Sequence, residues 1–513
     1  MHRLLLVVAW GMFWGWGSAF AFSGSDSLAP MLTHSLGGDI ALDSAGWSVG
    51  AGVEPLLALG ARQSPLFSGS GGWGGTALLE VRGQDEAEKW EVHVKGQYRR
   101  IPGVSGPWHE LAYNWGVFDG WGRANTPNLT SVGATRLEGW GAYQISPSMS
   151  LQAGQLARHW GHGWRSVWMD QAAAPLPQLA LQVDGGRVRY EHLIAAKRQW
   201  FEGSPPDVPG TDPNAWAPWQ YAERNRSFLA AHSVSADLGR GFEGTLFGAV
   251  TWLAVDSGIP FRLEPAYFVP FVAFRPTEYR LGSADNALVG LEGAWHSPDR
   301  RWSLSSQWLF DEWVTREVFG DRGWWANKWA TVHTVQHRGN VWHAVLERCA
   351  ARPYTYSHVV EETAWTHDRS PLAHPLGANF VEWRVHGIAT WDRVRLSIGA
   401  THVRQGVDDV QAALEGGRSI ISAADPNAST SQGTSPLLSY TLRPVQDGVG
   451  DLFGEVVTTW RGFADVEWAH ERFGYGRLFM RAAGRWAEAG EGVWWGRLEF
   501  GLRVQPALEE RDW

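Results

Sequence analysis

The chain has 513 residues, 44% hydrophobic side chains, a formal net charge of −9 and one cysteine, Cys349, and its mean hydropathy is −0.25. The acidic balance gives no support to nucleic-acid binding, which demands a basic face, and a single cysteine allows neither a disulfide framework nor a thiolate metal site. A content of 61 Gly and 34 Trp against 6 Met speaks for a β architecture, since a membrane barrel needs one apolar face per strand and places Trp and Tyr in its interfacial girdles.

From the amino terminus, the first predicted element is an export signal. His2 and Arg3 precede an apolar stretch from Leu4 to Gly17, and Ala19-Phe20-Ala21 puts small residues where a signal peptidase reads. Cleavage is expected after Ala21, with the mature chain starting at Phe22. No later window reaches the roughly 18 apolar residues of a spanning helix; Gly244 to Val255 is too short and follows Glu243. No Pro/Ser linker or charge block divides what remains, so residues 22–45 are expected as a short periplasmic segment and 46–513 as one outer-membrane β-barrel.

Period-two alternation marks the strands. Between Lys89 and Tyr98 one face reads Trp90, Val92, Val94, Gly96, Tyr98 and the other Lys89, Glu91, His93, Lys95, Gln97. The pattern returns with Val394, Leu396, Ile398 and Ala400 against Arg393, Arg395 and Ser397, and with Trp494, Leu498, Phe500 and Leu502 against Arg497, Glu499 and Arg503. Stretches near ten residues that end in aromatics suit tilted strands crossing a bilayer, with the apolar face toward lipid and the charged face toward the lumen.

Connections alternate in length. Turn signals at 146–148, 184–186, 239–241, 297–300, 338–340 and 390–392 are separated by long segments near 100–135, 159–177, 197–227, 255–285, 351–379 and 404–451. Short periplasmic turns and long external loops are the barrel signature. Counting from Trp47 to Gln505 gives 18 or 19 strands, and an even number is required for both termini to lie in the periplasm, so an all-β transmembrane antiparallel barrel of about 18 strands (16–20) is expected. Residues 451–486, with three successive short connections, fit the alternation worst.

Several motifs invite chemistry. Gly46-Trp47-Ser48-Val49-Gly50 matches a nucleophile elbow, but that requires a strand, a sharp turn and a helix, and the residues after Gly50 continue as a glycine-rich strand. His159 and His162 could ligate a metal, yet only Asp170 is an acidic neighbour and glycines interrupt any helix that would aim both rings at one ion. Neither a metal nor another cofactor is expected, and no Ser/His/acid constellation assembles from spacing, so the chain reads as a non-enzyme. Trp90, Trp295, Trp383, Trp468 and Trp494 fall on apolar faces and read as girdle. Trp108, Trp115, Trp121, Trp160, Trp164, Trp216 and Trp219 fall in long loops, where indoles beside His109, Asn114, Arg123, His162 and Arg165 could stack on sugars or pack the loops into the barrel mouth. Charges of both signs on inward positions, such as Glu382 and Arg384 or Asp465 and Glu467, suggest cross-barrel ion pairing but suit a porin equally. Cys349 is expected in packing or lipid contact.

Three blocks resemble the Wzi-like capsule-assembly family and its gliding-associated relatives. They are Gly154-Gln155 through Trp160-Gly161-His162-Gly163-Trp164 to Asp170 and Ala174-Pro175; Arg275-Pro276-Thr277-Glu278-Tyr279 with Gly282 to Asn286 and Leu309-Phe310-Asp311-Glu312; and Arg352-Pro353-Tyr354-Thr355-Tyr356-Ser357-His358 with Leu372 to Glu382. The resemblance implies an 18-stranded barrel and a lectin-like role in which surface or capsular polysaccharide is held without cleavage, with a capsule-export machinery as partner. Enteric members carry a helical periplasmic segment, for which only Phe22 to about Gly46 is available. Polysaccharide binding is thus expected at Trp160, His162, Trp164 and Arg165 and at Arg352, Tyr354, Tyr356 and His358. Tyr354 and its neighbours could equally hold an inward-folded loop, and a diffusion channel for small solutes is the alternative function.

Overall fold

A computed structural model describes residues 47–62, 70–84, 89–102, 117–118, 122–123, 131–201, 223–255, 262–269, 274–281, 285–318, 320–368, 370–410, 413–414, 429–469 and 476–504. The expected signal peptide, the 22–45 segment and Trp108, Trp115, Trp121, Trp216 and Trp219 lie outside the described residues.

The strands are β1 (Trp47–Arg62), β2 (Ser70–Gln84), β3 (Trp90–Pro102), β4 (Ser131–Ser146), β5 (Met149–Leu156) and β6 (Leu176–Asp184). There follow β7 (Val188–Phe201), β8 (Glu223–Gly239), β9 (Phe242–Leu253), β10 (Asn286–His296), β11 (Trp302–Glu312) and β12 (Lys328–Arg338). The last six are β13 (Trp342–Ala351), β14 (Phe380–Trp391), β15 (Val394–Val407), β16 (Glu455–Ala469), β17 (Gly476–Ala489) and β18 (Glu491–Val504). They form one 18-stranded sheet in which each strand pairs antiparallel with its chain neighbours. β1 also pairs with β18, from Val53 opposite Val504 to Arg62 opposite Trp495, so the sheet closes on itself and has no free edge.

The expected count of 18 holds. The alternation of connection lengths breaks just beyond 451–486, at the β17–β18 hairpin, which turns on Gly490 alone at φ 87°. Direction still alternates, so β1 starts and β18 ends at the short-connection end, the one expected to face the periplasm. Ser48 lies within β1, opposite Arg82 of β2, with no helix behind it, so the elbow geometry is absent.

Cross-strand register lines Trp383, His402, Trp460, Trp486 and Trp494 into one row over β14 to β18. Trp391 and Trp468 lie eight residues along from Trp383 and Trp460. With the usual rise and a barrel tilt near 40°, that spacing is about 20 Å along the membrane normal, close to the ~25 Å apolar band of such barrels. Trp302 and Trp342 sandwich His337 at the same end as Trp391, with centroids 4.5 and 3.9 Å apart.

The lumen departs from a simple polar interior. Toward it, β7 to β12 present Leu193, Leu229, Phe247, Leu288, Leu309 and Val332, all buried. They are covered by segments 157–175 and 352–379, whose Trp168, Met169, Tyr356, Trp365 and Leu372 share the same core. Apolar side chains can face inward there because the chain's own loops, not water, fill that side. Inward ion pairs join neighbouring strands instead of crossing the barrel: Glu467 of β16 meets Arg395 of β15 at 3.2 Å and Arg477 of β17 at 3.3 Å, and Asp465 meets Arg481 at 2.8 Å. Cys349 faces this core, not lipid. On the opposite face, Tyr267 and Phe274, the latter opening helix α1 (Phe274–Leu281), pack on Val250, Trp252 and Ala287, so the segment before β10 folds down the outside of the barrel.

Candidate functional site

Segment 157–175 leaves β5 and turns into the lumen, where glycines permit a close approach to the wall. Gly161 has φ 132°, and a Cβ there would lie 2.4 Å from Gln307 Nε2; one on Gly163 would lie 2.9 Å from Glu347 Oε2. The wall then captures the loop's backbone. His162 N donates to Glu292 Oε1 at 2.8 Å, Val167 N to Gln307 Oε1 at 2.9 Å, Trp164 N to Glu347 Oε2 at 2.7 Å and Arg165 N to Glu347 Oε1 at 3.1 Å. Gln307 Nε2 donates in return to the Trp160 carbonyl at 2.8 Å. Buried backbone groups without water need such partners.

Within the loop, Arg165 and Asp170 are buried and 3.3 Å apart. Burial pushes the Arg165 guanidinium below its usual pKa, with Asp170 opposing. Burial alone would raise Asp170, but Arg165, His159 and the N–H groups of Ala172 and Ser166 together hold it below the ordinary carboxylate value. His162 has Nδ1 3.3 Å from Glu292 and Nε2 3.6 Å from Glu243. Contact with Glu292, then the charge of both carboxylates, outweighs burial and raises its pKa.

The second group folds differently. Arg352 spends its guanidinium on carbonyls, donating from Nη1 to Asn327 at 2.5 Å and from Nη2 to Val449 at 2.7 Å. Tyr354 donates its hydroxyl to the Ser431 carbonyl at 2.8 Å, and Tyr356 to the Val167 carbonyl at 2.9 Å. His358 Nδ1 lies 2.7 Å from Thr363 Oγ1, and burial followed by nearby Lys328 depresses its pKa to about 3. All four side chains are buried. Their recognising atoms are occupied within the protein, which is the inward-folded alternative for this block. Asn379 ties it to segment 429–453, donating from Nδ2 to the Phe453 and Gln432 carbonyls at 2.8 and 3.0 Å.

The two groups therefore meet in space, through Tyr356 on Val167 and Trp365 Nε1 on the Trp168 carbonyl at 2.6 Å, as halves of one plug. They diverge in what they offer. Trp164 is half-buried in a T-shaped contact with His386, ring centroids 5.2 Å apart, and Arg165 is enclosed. Only Trp160 and His162 line an open cavity of about 500 Å³. Its other lining includes Gln182, Ser235, Glu243, Phe247 and Glu292, none expected from sequence at a site, and Arg189, expected only as an inward charge. The available signal was their common inward parity on β6 to β10.

Cys349, His374 and Glu382 bring ligand-type atoms within 4.8 Å of one another. Leu376 N donates to His374 Nδ1 at 3.2 Å, so the ring proton sits on Nε2 and is given to Glu382 Oε2 at 2.9 Å. A metal at Nε2 would have to displace that proton while Nδ1 still faces a donor, so the set fits an imidazole–carboxylate pair better than an ion.

No protein-family model and no curated protein sequence matches the chain. Among solved structures it is similar to Wzi of Escherichia coli, an outer-membrane protein involved in group 1 capsule assembly and a carbohydrate-binding β-barrel, at 11% identity over 88% of this chain and 85% of that one, TM-score 0.48. It is also similar to a BenF-like porin from Pseudomonas fluorescens Pf-5, at 9% identity over 90% and 99% of the chains, TM-score 0.45, and to OccAB4 of Acinetobacter baumannii, at 9% over 90% and 98%, TM-score 0.42. Likenesses at this level decide nothing about function. The strand pairing and the filled interior define the class: a closed transmembrane β-barrel packed by its own loops.

Proposed function

We propose that the chain is an outer-membrane barrel that holds surface or capsular polysaccharide without cleaving it. The observation that carries this reading is the packed plug. Segments 157–175 and 352–379 share one hydrophobic core with the inner wall, and the inward carboxylates Glu292 and Glu347 bind loop backbone. A diffusion channel needs a continuous wet path, whereas a plug rigidifies loops and presents a fixed surface.

Of the first group, Trp160 and His162 line a cavity on the inner side of the plug and are the candidate contacts for a sugar chain there, with Trp164 half-buried against His386; Arg165, Arg352, Tyr354, Tyr356 and His358 support the loops that carry them. Outer-membrane lipid is the partner of the apolar belt, and export machinery is a partner the cell would supply. Retention of surface polysaccharide should fall in cells lacking the protein and recover with the wild-type chain, while the purified barrel in planar bilayers should show no steady conductance. A steady open conductance with unchanged retention would establish the channel reading instead.

A further inference from the structure

We propose that the cavity beside Trp160 is a saccharide site opening to the periplasm, selective for neutral or amine-bearing sugar rings over acidic ones. The inference rests on the polysaccharide reading only for the source of the sugar.

Position comes first. Gln144, Pro147, Ser148 and Met149 line the cavity at the β4–β5 turn, and Val183 and Asp184 line it at the β6–β7 turn. Both are short connections at the end where β1 begins and β18 ends, the periplasmic end of such barrels. The plug lies on the other side of Trp160, so a ligand reaches this cavity from the periplasm.

Size and lining match an amphipathic ring. A volume of about 500 Å³ lies within the span of small-ligand pockets. Trp160 and Phe247 both line the cavity, their rings 6.0 Å apart and inclined by 25°, an apolar surface for the C–H face of a pyranose. Ser150, Gln182, Ser235 and Thr245 surround it with groups that both donate and accept. The Trp160 indole Nε1–H is buried and has no acceptor among the described residues. A donor left alone there is costly, and a sugar oxygen seated against the Trp160 ring is the partner assigned to it.

Charge sets the selectivity. Asp184, Glu191, Glu243 and Glu292 line the cavity against Arg189, His159 and His162. Arg189 is already paired with Glu243 at 2.6 Å, and Arg158, from behind, with Glu191. His162 stands 3.3 Å from Glu292, so each cation of the lining already faces a carboxylate while Asp184 has none among the described residues; a uronate or phosphate finds no free cation there, whereas hydroxyl and ammonium groups find acceptors.

The test uses the full-length barrel in detergent micelles, with calorimetric titration of chitosan tetrasaccharide, maltotetraose and tetragalacturonate. At least one of the first two should bind, with tetragalacturonate at least tenfold weaker than the better of them. Trp160→Phe keeps the ring contact but removes the donor, and Glu292→Gln keeps an acceptor for His162 N but removes the charge; each should weaken the binding probe at least fivefold, and Glu292→Gln should narrow the gap to tetragalacturonate. Equal binding of the acidic probe, wild-type affinity in both variants, or no binding of any probe overturns the site. If polysaccharide retention on cells persists in any of these cases, the pocket alone is lost and the functional reading stands.

Discussion

Tyr354 and Tyr356 hold φ values of 66° and 75°, a left-handed region that costs a side-chain-bearing residue of order 1–3 kcal/mol. Burial of both rings and their hydroxyl bonds to Ser431 and Val167 offset that cost. Tyr356→Phe leaves the Val167 carbonyl without this donor and should destabilise the barrel by about 1–3 kcal/mol, read as a lower midpoint of thermal unfolding; an unchanged midpoint would remove the hydroxyl from the account. Two histidines carry opposite pH dependence. His358, depressed from 6.5 to about 3, contributes stability present above pH 6.5 and lost as pH falls toward 3, because the unfolded imidazole takes a proton the folded one refuses. His162, raised above 6.5, contributes stability present below pH 6.5 and lost as pH climbs through its raised value. Unfolding midpoints across this range should lose the acid-side decline in His358→Gln and the alkaline-side decline in His162→Gln; identical profiles for wild type and both variants would refute the assignment. From sequence these residues are expected polysaccharide contacts, but residue type alone does not say whether a tyrosine hydroxyl meets a sugar or a carbonyl.

Among the elements, the strands were the most legible and the plug the least. Alternation places Val94, Val385, Ile398 and Phe500 outward and Lys95, Glu382, Ser397 and Glu499 inward, as the side chains stand, because period two follows from the pleat of a single strand. Nothing comparable marks segment 157–175 as interior. Its Val167-Trp168-Met169 run has no repeat, and its anchors Glu292, Gln307 and Glu347 belong to three other strands. Glu347→Ala removes the acceptor of the Trp164 and Arg165 amides, which at about 1–3 kcal/mol for each unpaired donor should loosen the plug without opening the sheet. Amide hydrogen exchange over residues 160–168 should accelerate and transient conductance should appear in bilayers, with strand protection intact; if exchange there matches wild type, Glu347 does not anchor the loop.

For the whole molecule, the closed sheet sets the membrane position through two rows of tryptophan. Phe substitution at Trp383, Trp460, Trp486 and Trp494 should markedly reduce fluorescence quenching by lipids brominated near the headgroup, since Trp168, Trp252 and Trp365 are enclosed by protein; undiminished quenching would misplace the belt. The sequence by itself determined the barrel, a strand number near 18 and the outward faces of its strands. Those follow from local pattern, namely side-chain parity within a strand and the length of each connection. Only the tertiary structure decided what fills the lumen, which expected glycan contacts remain open, and that Trp160 faces a cavity while Tyr356 faces a carbonyl. Those outcomes depend on bonds such as His162 N to Glu292 and Trp164 N to Glu347, which join residues 130 and 183 positions apart. Partners that distant leave no periodicity in the chain and become visible only when closure of the sheet brings the wall around the loop.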